Sequence, residues 1–320
     1  NMRQVYMIKV FKTANGKFVE KEQYDLLEEN IWVYLVSPTQ EEIELITATF
    51  EIPKDFIEDP LDENESPRME LEDGKRLIII QTPYFQDDEE AAIQFITLPL
   101  GIILTENCII TVSSKDDDVL RNFVKGRVKN FSTAKINRLI LQILSRTATV
   151  YLNYLKKINK ISNNIEDQLE DSMNNERLMD LLDLQKSLVY FATSLRSNES
   201  VMEKLSRVGV FTKYEEDEDL LEDMIIDNKQ AIEMTAIHSN ILRSTMDAFA
   251  SMISNNLNKV MKFLTSVTII LMLPTLVSSI YGMNVPLPFD RSPHAFVILM
   301  VASLLLALVG VIIFIKRKWF

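Results

Sequence analysis

The sequence is poor in the side chains that build disulfide bonds and transition-metal sites. It contains one cysteine, Cys108, and two histidines, His238 and His294. A single cysteine excludes an intrachain disulfide, and so few His and Cys side chains argue against a His/Cys site for a transition metal within one chain. No nucleophile–base pair, phosphate loop or metal-ligand spacing stands out, so we expect no enzymatic activity.

Excess positive charge is also missing, as is an apolar leader segment. The net charge is −12, from 34 basic and 46 acidic residues. This argues against nucleic acid as a partner, because nucleic-acid binding draws on clustered Lys and Arg. Residues 1–30 alternate charged with apolar residues and lack the apolar core of a signal peptide. We therefore expect no signal peptide ahead of the first domain.

Charged residues are absent from two C-terminal runs, Phe263–Ile280 and Phe296–Ile315. Each run has about 18–20 residues, enough to cross a bilayer core of roughly 30 Å as a helix. The short loop between them permits only a helical hairpin. The basic tail, Lys316, Arg317 and Lys318, is typical of a cytoplasmic terminus. An even number of spans then predicts a cytoplasmic N-terminal region as well.

Proline is absent between 132 and 273, and Gly209 is the only glycine there. Apolar residues recur at helical spacing, which predicts helices near 133–171 and 176–207 and a third from about 215 to 281. Before residue 130, short β-branched or aromatic runs predict strands at Val5–Phe11, Ile31–Val36, Leu77–Thr82, Ile93–Leu98 and Cys108–Ser113. Proline-led segments predict helices at Pro38–Thr49 and Pro53–Glu58. We interpret the acidic tracts as solvated loops: Asp62–Glu65, Asp87–Glu90 and Asp116–Asp118.

The expected fold class is α+β, with a mixed α/β N-terminal part, long antiparallel helices, and a long stalk helix that leads into a two-helix transmembrane hairpin. The corresponding ranges are 1–130 for the α/β domain, 131–214 for the antiparallel helices and 215–282 for the stalk helix with the first span at about 263–282. They continue with 283–294 for an external loop, 295–315 for the second span and 316–320 for the tail.

One face of the first span is uncharged, small and mildly polar. Its residues follow each other at three or four positions: Asn258, Met261, Leu264 or Thr265, Thr268, Met272, Thr275, Ser279 and Gly282. Two spans cannot enclose an aqueous path, so a pore lined by this face needs several copies around an axis. The alternative is that its Thr and Ser side chains serve helix–helix packing. Pro274 removes a backbone hydrogen bond within the span and allows a kink.

Two motifs carry a family resemblance. Tyr281-Gly282-Met283-Asn284, which follows the first of two C-terminal spans and precedes a basic terminus, resembles the signature of the CorA family of magnesium channels. The phrase Asn258-Lys259-Val260-Met261-Lys262-Phe263-Leu264-Thr265 resembles the pore-entry segment of that family. The likeness extends over the whole length, from the α/β domain to the tail.

The resemblance implies a homopentamer in a prokaryotic plasma membrane, with both termini cytoplasmic and Mg2+ as the ion that is transported and that regulates closure. It implies that the pore is lined by Asn258, Met261, Leu264, Thr268, Met272 and Thr275, and that the selectivity filter is Gly282, Met283 and Asn284. A regulatory Mg2+ between subunits would be held by Glu58, Asp59 and Asp223. Repeated copies of Asp290 in the external loop would attract cations.

The sequence departs from the family pattern at Pro274, which lies one place later than expected, and at Ser279, where glycine is expected. A relative specialised for Co2+, Ni2+ or Zn2+ stays open, although intact Met283-Asn284 favours magnesium and scarce His and Cys speak against direct coordination of softer metals. A membrane-anchored divalent-ion sensor without conduction is the alternative from a different class. The expected partners are other copies of the chain, the lipid membrane, Mg2+ and the related Co2+ and Ni2+, with no nucleic acid.

Overall fold

The computed structural model describes residues 8–14, 17–21, 25–87, 93–171, 175–209, 211, 214–285, 288, 293–317 and 319. The chain divides into two compact units, Asn1–Thr245 and Met246–Phe320.

The first unit contains a sheet of seven strands within the described ranges. The strands are β1 (Ile8–Ala14), β2 (Lys17–Glu20), β3 (Ile31–Val36), β4 (Arg68–Glu72), β5 (Lys75–Phe85), β6 (Phe95–Leu104) and β7 (Cys108–Ser113). Their order across the sheet is β2-β1-β3-β7-β6-β5-β4. β3 and β7 pair in parallel, whereas the other neighbouring pairs are antiparallel. The edge strands β2 and β4 are short and rich in charge, which discourages pairing with a further chain.

The structure describes seven α-helices. They are α1 (Gln40–Phe50), α2 (Asp55–Glu58), α3 (Asp118–Val124), α4 (Ile136–Asp171), α5 (Asn175–Ser206), α6 (Glu215–Tyr281) and α7 (Ala295–Lys316). A 3-10 turn, Asp59–Leu61, follows α2 directly. At the start of α1, the Thr39 side chain accepts a hydrogen bond from the Glu42 amide, and the Glu42 carboxylate accepts one from the Thr39 amide at 2.8 Å. This reciprocal capping explains why the helix begins after Pro38.

Both faces of the sheet are buried. On one face, Val33 of β3 belongs to the same apolar cluster as Ile43 of α1 and Phe56 of α2. On the other face, α4 and α5 pack against β5 and β6, and the rings of Tyr151 and Phe191 meet edge to face at 5.0 Å. Burial of each such side chain stabilises the fold by roughly 1.5–3 kcal/mol. Two covered faces explain why β3 and β7 are continuous apolar runs rather than alternating ones.

Most of the predicted elements are confirmed, with shifted ends. The predicted helices 133–171, 176–207 and 215–281 correspond to α4, α5 and α6. The predicted strand Val5–Phe11 overlaps β1, whose described part begins at Ile8, and β5 and β6 are longer than predicted. No sequence signal marks β2, β4 or α3, because the two edge strands are polar and the helix has only 7 residues.

The interpretation of Asp116–Asp118 as a solvated loop is wrong for Asp117, and also for Asp118, which is the first residue of α3. Asp117 is buried and caps α3, where its carboxylate accepts hydrogen bonds from the Leu120 amide at 2.8 Å and the Thr82 hydroxyl at 3.1 Å. Burial raises the pKa of Asp117 to about 6, against the opposing effect of these two hydrogen bonds. The tract Asp62–Glu65 is mostly exposed as predicted, and residues 88–90 of Asp87–Glu90 lie outside the described ranges.

Replacement of Asp117 with asparagine is expected to stabilise the chain by roughly 1–3 kcal/mol at pH 7. The pKa of Asp117 is raised on folding, so the ionised parent loses stability as pH rises from about 4 through 6. The asparagine side chain would keep the cap to Leu120 and donate to the Thr82 hydroxyl, whose own hydrogen could then go wholly to its other acceptor, the Leu98 carbonyl oxygen at 3.2 Å. Thermal unfolding between pH 4 and 7 measures the difference, and parallel curves for parent and Asp117→Asn would contradict it.

Candidate functional site

The second unit contains the two candidate membrane spans. Among the described residues, α6 and α7 are the helices that are long and apolar enough to cross a membrane, judged by length and composition. Large apolar side chains of α7 are exposed, including Phe296, Leu304 and Ile315. Exposed apolar surface of this extent suits lipid or a second copy of the chain rather than water.

α7 packs against one face of α6 through a small residue. A Cβ atom at Gly310 would lie 3.3 Å from Cδ1 of Leu273 and 3.7 Å from Cγ1 of Ile270. Ser266 is fully buried, and its hydroxyl donates to the Lys262 carbonyl oxygen at 2.7 Å. Small residues allow two helices in a membrane to approach closely. The face of α6 that packs within the hairpin therefore contains Ser266, Ile270 and Leu273.

The uncharged stripe that the sequence predicts lies outside this contact. Its side chains are exposed in the single chain: Asn258, Met261, Leu264, Thr265, Thr268, Met272, Thr275 and Ser279. Packing within the hairpin thus uses another face of α6, and the Thr and Ser side chains of the stripe are available to water or to another copy. Pro274 lies within α6, which continues to Tyr281.

The hydroxyl groups on the stripe are oriented by their own helix. Thr268 donates to the Leu264 carbonyl oxygen at 2.8 Å, and Thr275 donates to the Leu271 carbonyl oxygen at 3.2 Å. Because each hydroxyl has one hydrogen to donate, both oxygen atoms present lone pairs to the exposed side. The stripe therefore offers hydrogen-bond acceptors without carrying charge.

The signature residues follow the last residue of α6. The Gly282 amide donates to the Ser278 carbonyl oxygen at 3.0 Å, and the Met283 amide donates to the Ile280 carbonyl oxygen at 3.3 Å. These bonds close the final turn and leave Gly282, Met283 and Asn284 exposed. The C-terminal end of a helix carries partial negative charge, which favours a cation near these residues.

A hydrogen bond ties the end of α6 to the following loop. The Tyr281 hydroxyl donates to the Pro288 carbonyl oxygen at 3.2 Å, so the aromatic ring anchors the segment that follows Asn284. Two residues with predicted roles, Asp290 and Lys318, lie outside the described ranges.

Both acidic residues of the predicted regulatory loop have a cationic partner within the chain. Glu58 ends α2 and pairs with Lys54 at 2.6 Å, one helical turn earlier. Asp59 begins the 3-10 turn and pairs with Arg68, which also contacts Glu65 and Glu70. A divalent ion at Glu58 or Asp59 therefore competes with a lysine or an arginine for the same carboxylate.

The position of this loop depends on a glycine in the sheet. A Cβ atom at Gly101 of β6 would lie 2.8 Å from Cβ of Pro60 and closer still to its Cγ. No side chain fits there without moving Pro60, because real Cβ contacts are longer than 3 Å. Gly101 thus fixes the residue next to Asp59 against the sheet.

Asp223 is exposed on α6, and a second carboxylate follows it after one helical turn. Partial burial and the negative charge of Asp223 both raise the pKa of Asp227. Among the described residues, no group of three or more His, Cys, Asp or Glu side chains is arranged to hold a metal ion. A divalent ion bound at Asp223 would need further ligands from water or from another copy of the chain.

Residues 28–317 match the family described as "CorA-like Mg2+ transporter protein". The chain belongs to this CorA-like family. The match covers most of the sequence and confirms the resemblance that the signature after α6 indicates.

Two relatives in this family match over their whole length and 98% of this chain. The "Cobalt/magnesium transport protein CorA" of Methanocaldococcus jannaschii is 29% identical over 98% of this chain and 100% of the relative. The "Magnesium transport protein CorA" of Helicobacter pylori is 25% identical over 98% of this chain and 100% of the relative. The structure described as the complete CorA magnesium transporter from M. jannaschii matches with a TM-score of 0.83 and 28% sequence identity. The match covers 98% of this chain and 99% of that chain. This similarity confirms the predicted α+β fold class with long helices and C-terminal spans.

Two charged residues near the predicted regulatory site, Asp227 and Arg68, are not among the residues predicted from the sequence. Asp227 follows Asp223 at the spacing of one helical turn, so periodicity alone was a sufficient signal for a carboxylate pair. Arg68 lies in a strand that the sequence did not predict, so its ion pair with Asp59 had no local signal.

Proposed function

We propose that the chain forms a homopentameric channel in the plasma membrane of a prokaryote and conducts Mg2+ into the cytoplasm, driven by the membrane potential. The exposed, uncharged stripe of α6, which ends at Gly282, Met283 and Asn284, carries this proposal. Five copies with this stripe towards a common axis would enclose the aqueous path that one hairpin lacks. The names of the M. jannaschii and H. pylori relatives support Mg2+ as cargo, and the former also supports Co2+.

The chemistry of the stripe suits an ion that keeps its water. Mg2+ dehydrates reluctantly and usually retains several waters in protein sites. The waters around a cation point their hydrogens outward, so a hydrated ion needs hydrogen-bond acceptors rather than direct ligands. The oxygen atoms of Thr268 and Thr275 are such acceptors, because their hydrogens are donated to the helix. The carboxamide oxygen of Asn284 would play the same role at the outer mouth.

Closure of the pore is proposed to occur near its cytoplasmic entrance. Met261 and Leu264 are apolar and 55% and 59% exposed in the single chain. Around a five-fold axis, rings of these side chains would form a constriction that empties of water when it narrows and thereby blocks ions. Asn258 would precede this constriction, and Met272 would lie between the two threonines.

Regulation is proposed to act through Mg2+ held between subunits. Glu58 and Asp59 of one copy and Asp223 of its neighbour would approach across the interface and repel each other until a cation bridges them. High cytoplasmic Mg2+ would then favour the closed assembly, and low Mg2+ would release it. Lys54 and Arg68 lower the affinity of this site, because they occupy the carboxylates of Glu58 and Asp59 when Mg2+ is absent.

Replacement of Asp223 with alanine is expected to weaken closure by Mg2+. The Mg2+ concentration that protects the chain from proteolysis should rise by roughly tenfold, a typical size for a coupling between two sites. The matched control is Asp219→Ala, which removes an exposed carboxylate one turn earlier in the acidic start of α6. If both variants shift the protection curve equally, Asp223 acts only on the helix dipole.

The domain assignment belongs to the same proposal. Ranges 1–130 and 131–214 would form the cytoplasmic part, 215–282 the stalk and first span, 283–294 the external loop, 295–315 the second span and 316–320 the cytoplasmic tail. Both termini would be cytoplasmic, and Asp290, repeated around the mouth, would raise the local cation concentration. No enzymatic reaction is assigned to the chain.

Mg2+ flux into proteoliposomes tests the proposal. With low Mg2+ inside the vesicles and an inside-negative potential, properly assembled protein should admit Mg2+, and the flux should fall when the potential is removed. Uptake of Co2+, Ni2+ or Zn2+ that is unaffected by millimolar Mg2+ would favour the alternative of a transporter for another divalent ion. Absence of flux for every ion would favour the non-conducting sensor.

A further inference from the structure

A second candidate site lies in the first unit, between the end of α3 and the middle of α4. It is a surface cavity of about 390 Å3, within the range of roughly 300–1,000 Å3 that is usual for ligand pockets. The cavity is lined by one carboxylate, that of Asp118, and by five cationic side chains: Arg121, Lys125, Arg127, Arg146 and Lys157. We call this cavity the basic pocket. It stands out in a chain whose net charge is −12.

The backbone holds the two walls of the basic pocket in place. α3 ends in a turn in which Gly126 has a φ of 66° and the Arg127 amide donates to the Asn122 carbonyl oxygen at 2.9 Å. This left-handed C-terminal turn suits glycine and directs the chain across the end of the helix. On α4, Arg146 and Lys157 lie eleven positions apart, which is three helical turns, so they share one face.

Most of the positive charge in the basic pocket is not balanced. Arg121 pairs with Asp116 at 3.0 Å and with Asp118 at 2.7 Å, and the Tyr154 hydroxyl also donates to Asp118. The single carboxylate of the pocket is therefore already occupied. The other four cationic side chains have no carboxylate partner among the described residues: Lys125, Arg127, Arg146 and Lys157.

One further observation points towards a ligand, and a second shows what holds a cation at the basic pocket. Nε of Arg146 is buried without any hydrogen-bond partner, although a buried polar group normally has one. Lys157 stands over the ring of Tyr154, with Nζ 4.9 Å from the ring centre, which holds the amine at the pocket. The negative end of the α3 dipole explains why cationic residues occur at positions 121 and 125, because it attracts Arg121 and Lys125. It does not account for Arg146 or Lys157, which lie in the middle of α4.

We propose that the basic pocket binds an anion that carries phosphate groups. Guanidinium groups match the geometry of phosphate oxygens and donate two parallel hydrogen bonds, while Lys supplies a compact charge. If the Arg146 side chain turns towards the cavity, a phosphate oxygen would give its Nε the acceptor that it lacks. Four unbalanced cations fit a di- or triphosphate better than a single monovalent anion, because each added phosphate brings further negative charge into the same cavity.

Binding of inorganic phosphate, pyrophosphate and ATP to the full-length chain, by calorimetry at constant ionic strength and without divalent ions, tests the proposal. Arg146→Gln and Arg127→Gln remove one cation each from the basic pocket, and Lys160→Gln removes an exposed cation from the same helix outside it. Saturable binding should weaken roughly tenfold or more in both pocket variants, as expected for the loss of a charge-assisted hydrogen bond, and less than about twofold in Lys160→Gln.

The three probes separate the possible sources of the phosphate. Similar binding of pyrophosphate and ATP supports recognition of the phosphate groups alone, and stronger binding of ATP supports a nucleotide. Arg127 is exposed, so we expect Arg127→Gln to fold normally. If Arg146→Gln fails to fold, the binding measured with Arg127→Gln alone tests the proposal. Absence of saturable binding at millimolar concentrations, or an equal loss in Lys160→Gln, would overturn the proposal.

Discussion

Replacement of Asn284 with alanine is expected to lower Mg2+ flux by at least about tenfold while the assembly stays intact. Asn284 is exposed immediately beyond α6, and the Gly282 and Met283 amides are bound by the last helical turn. The carboxamide oxygen can accept a hydrogen bond from the water shell of the ion, whereas a methyl group cannot. A hydrogen bond between neutral groups contributes up to about 1.5 kcal/mol, and one to a water polarised by the ion lies at this upper end, which corresponds to a factor of about ten in rate. Several copies around one axis would enlarge the effect.

The flux of Asn284→Ala is measured in proteoliposomes beside that of the parent and of Val285→Ala. Val285 is the next residue and is 48% exposed. Its alanine variant therefore shows what loss of a neighbouring side chain does to the flux when no hydrogen-bonding group is removed. Light scattering on the purified assemblies checks that the oligomer is unchanged. Normal Mg2+ flux in a properly assembled Asn284→Ala variant would remove the role of this residue in selection.

The hairpin and the long helices are predictable because their signals are local. An uncharged run of sufficient length and apolar residues at helical spacing both lie within a single element, and tertiary contacts do not alter them. The same holds for the stripe from Asn258 to Ser279, whose exposure could be inferred from spacing along one helix. The proposed orientation of this stripe towards other copies of the chain cannot be inferred from local spacing.

The parts that could not be predicted depend on contacts between distant segments. Asp117 looks like the centre of an acidic loop, yet its carboxylate is buried and accepts a hydrogen bond from Thr82 of β5. The partner of Asp59 lies in β4, a polar edge strand without an apolar pattern. The basic pocket likewise combines the end of α3 with residues from the middle of α4. In each case the decisive group is polar, so hydrophobic periodicity carries no information about it.

Asn198 is the strongest case of such a hidden polar contact, and its replacement with alanine is expected to cost about 2–4 kcal/mol of stability. Asn198 of α5 is fully buried. Its Oδ1 accepts from the Gln81 amide at 2.8 Å, and its Nδ2 donates to the Gln81 carbonyl oxygen at 2.7 Å. The described pairing of β4 with β5 begins at Ile79, so Asn198 takes the place of a neighbouring strand at Gln81.

The opposite side of Gln81 cannot compensate for the loss of Asn198. The amide and the carbonyl of one strand residue point to the same side, so both groups of Gln81 face Asn198 and not Pro99, its register partner on β6. The Tyr151 hydroxyl donates to the Gln81 carbonyl oxygen at 3.1 Å and would still do so in the variant. The Gln81 amide would lose its acceptor, and a buried polar group without a partner costs roughly 1–3 kcal/mol in addition to the lost packing.

Thermal unfolding of the full-length chain measures this cost. Asn198→Ala should lower the midpoint by about 5–10 °C, since each kcal/mol shifts a large domain by roughly 2–4 °C. Asn164→Ala, at an exposed position on α4, is the matched control and should change stability by less than about 0.5 kcal/mol. Equal midpoints for the two variants would mean that water reaches the Gln81 backbone between α5 and β5. The two hydrogen bonds of Asn198 would then add little to the stability of the contact between α5 and β5.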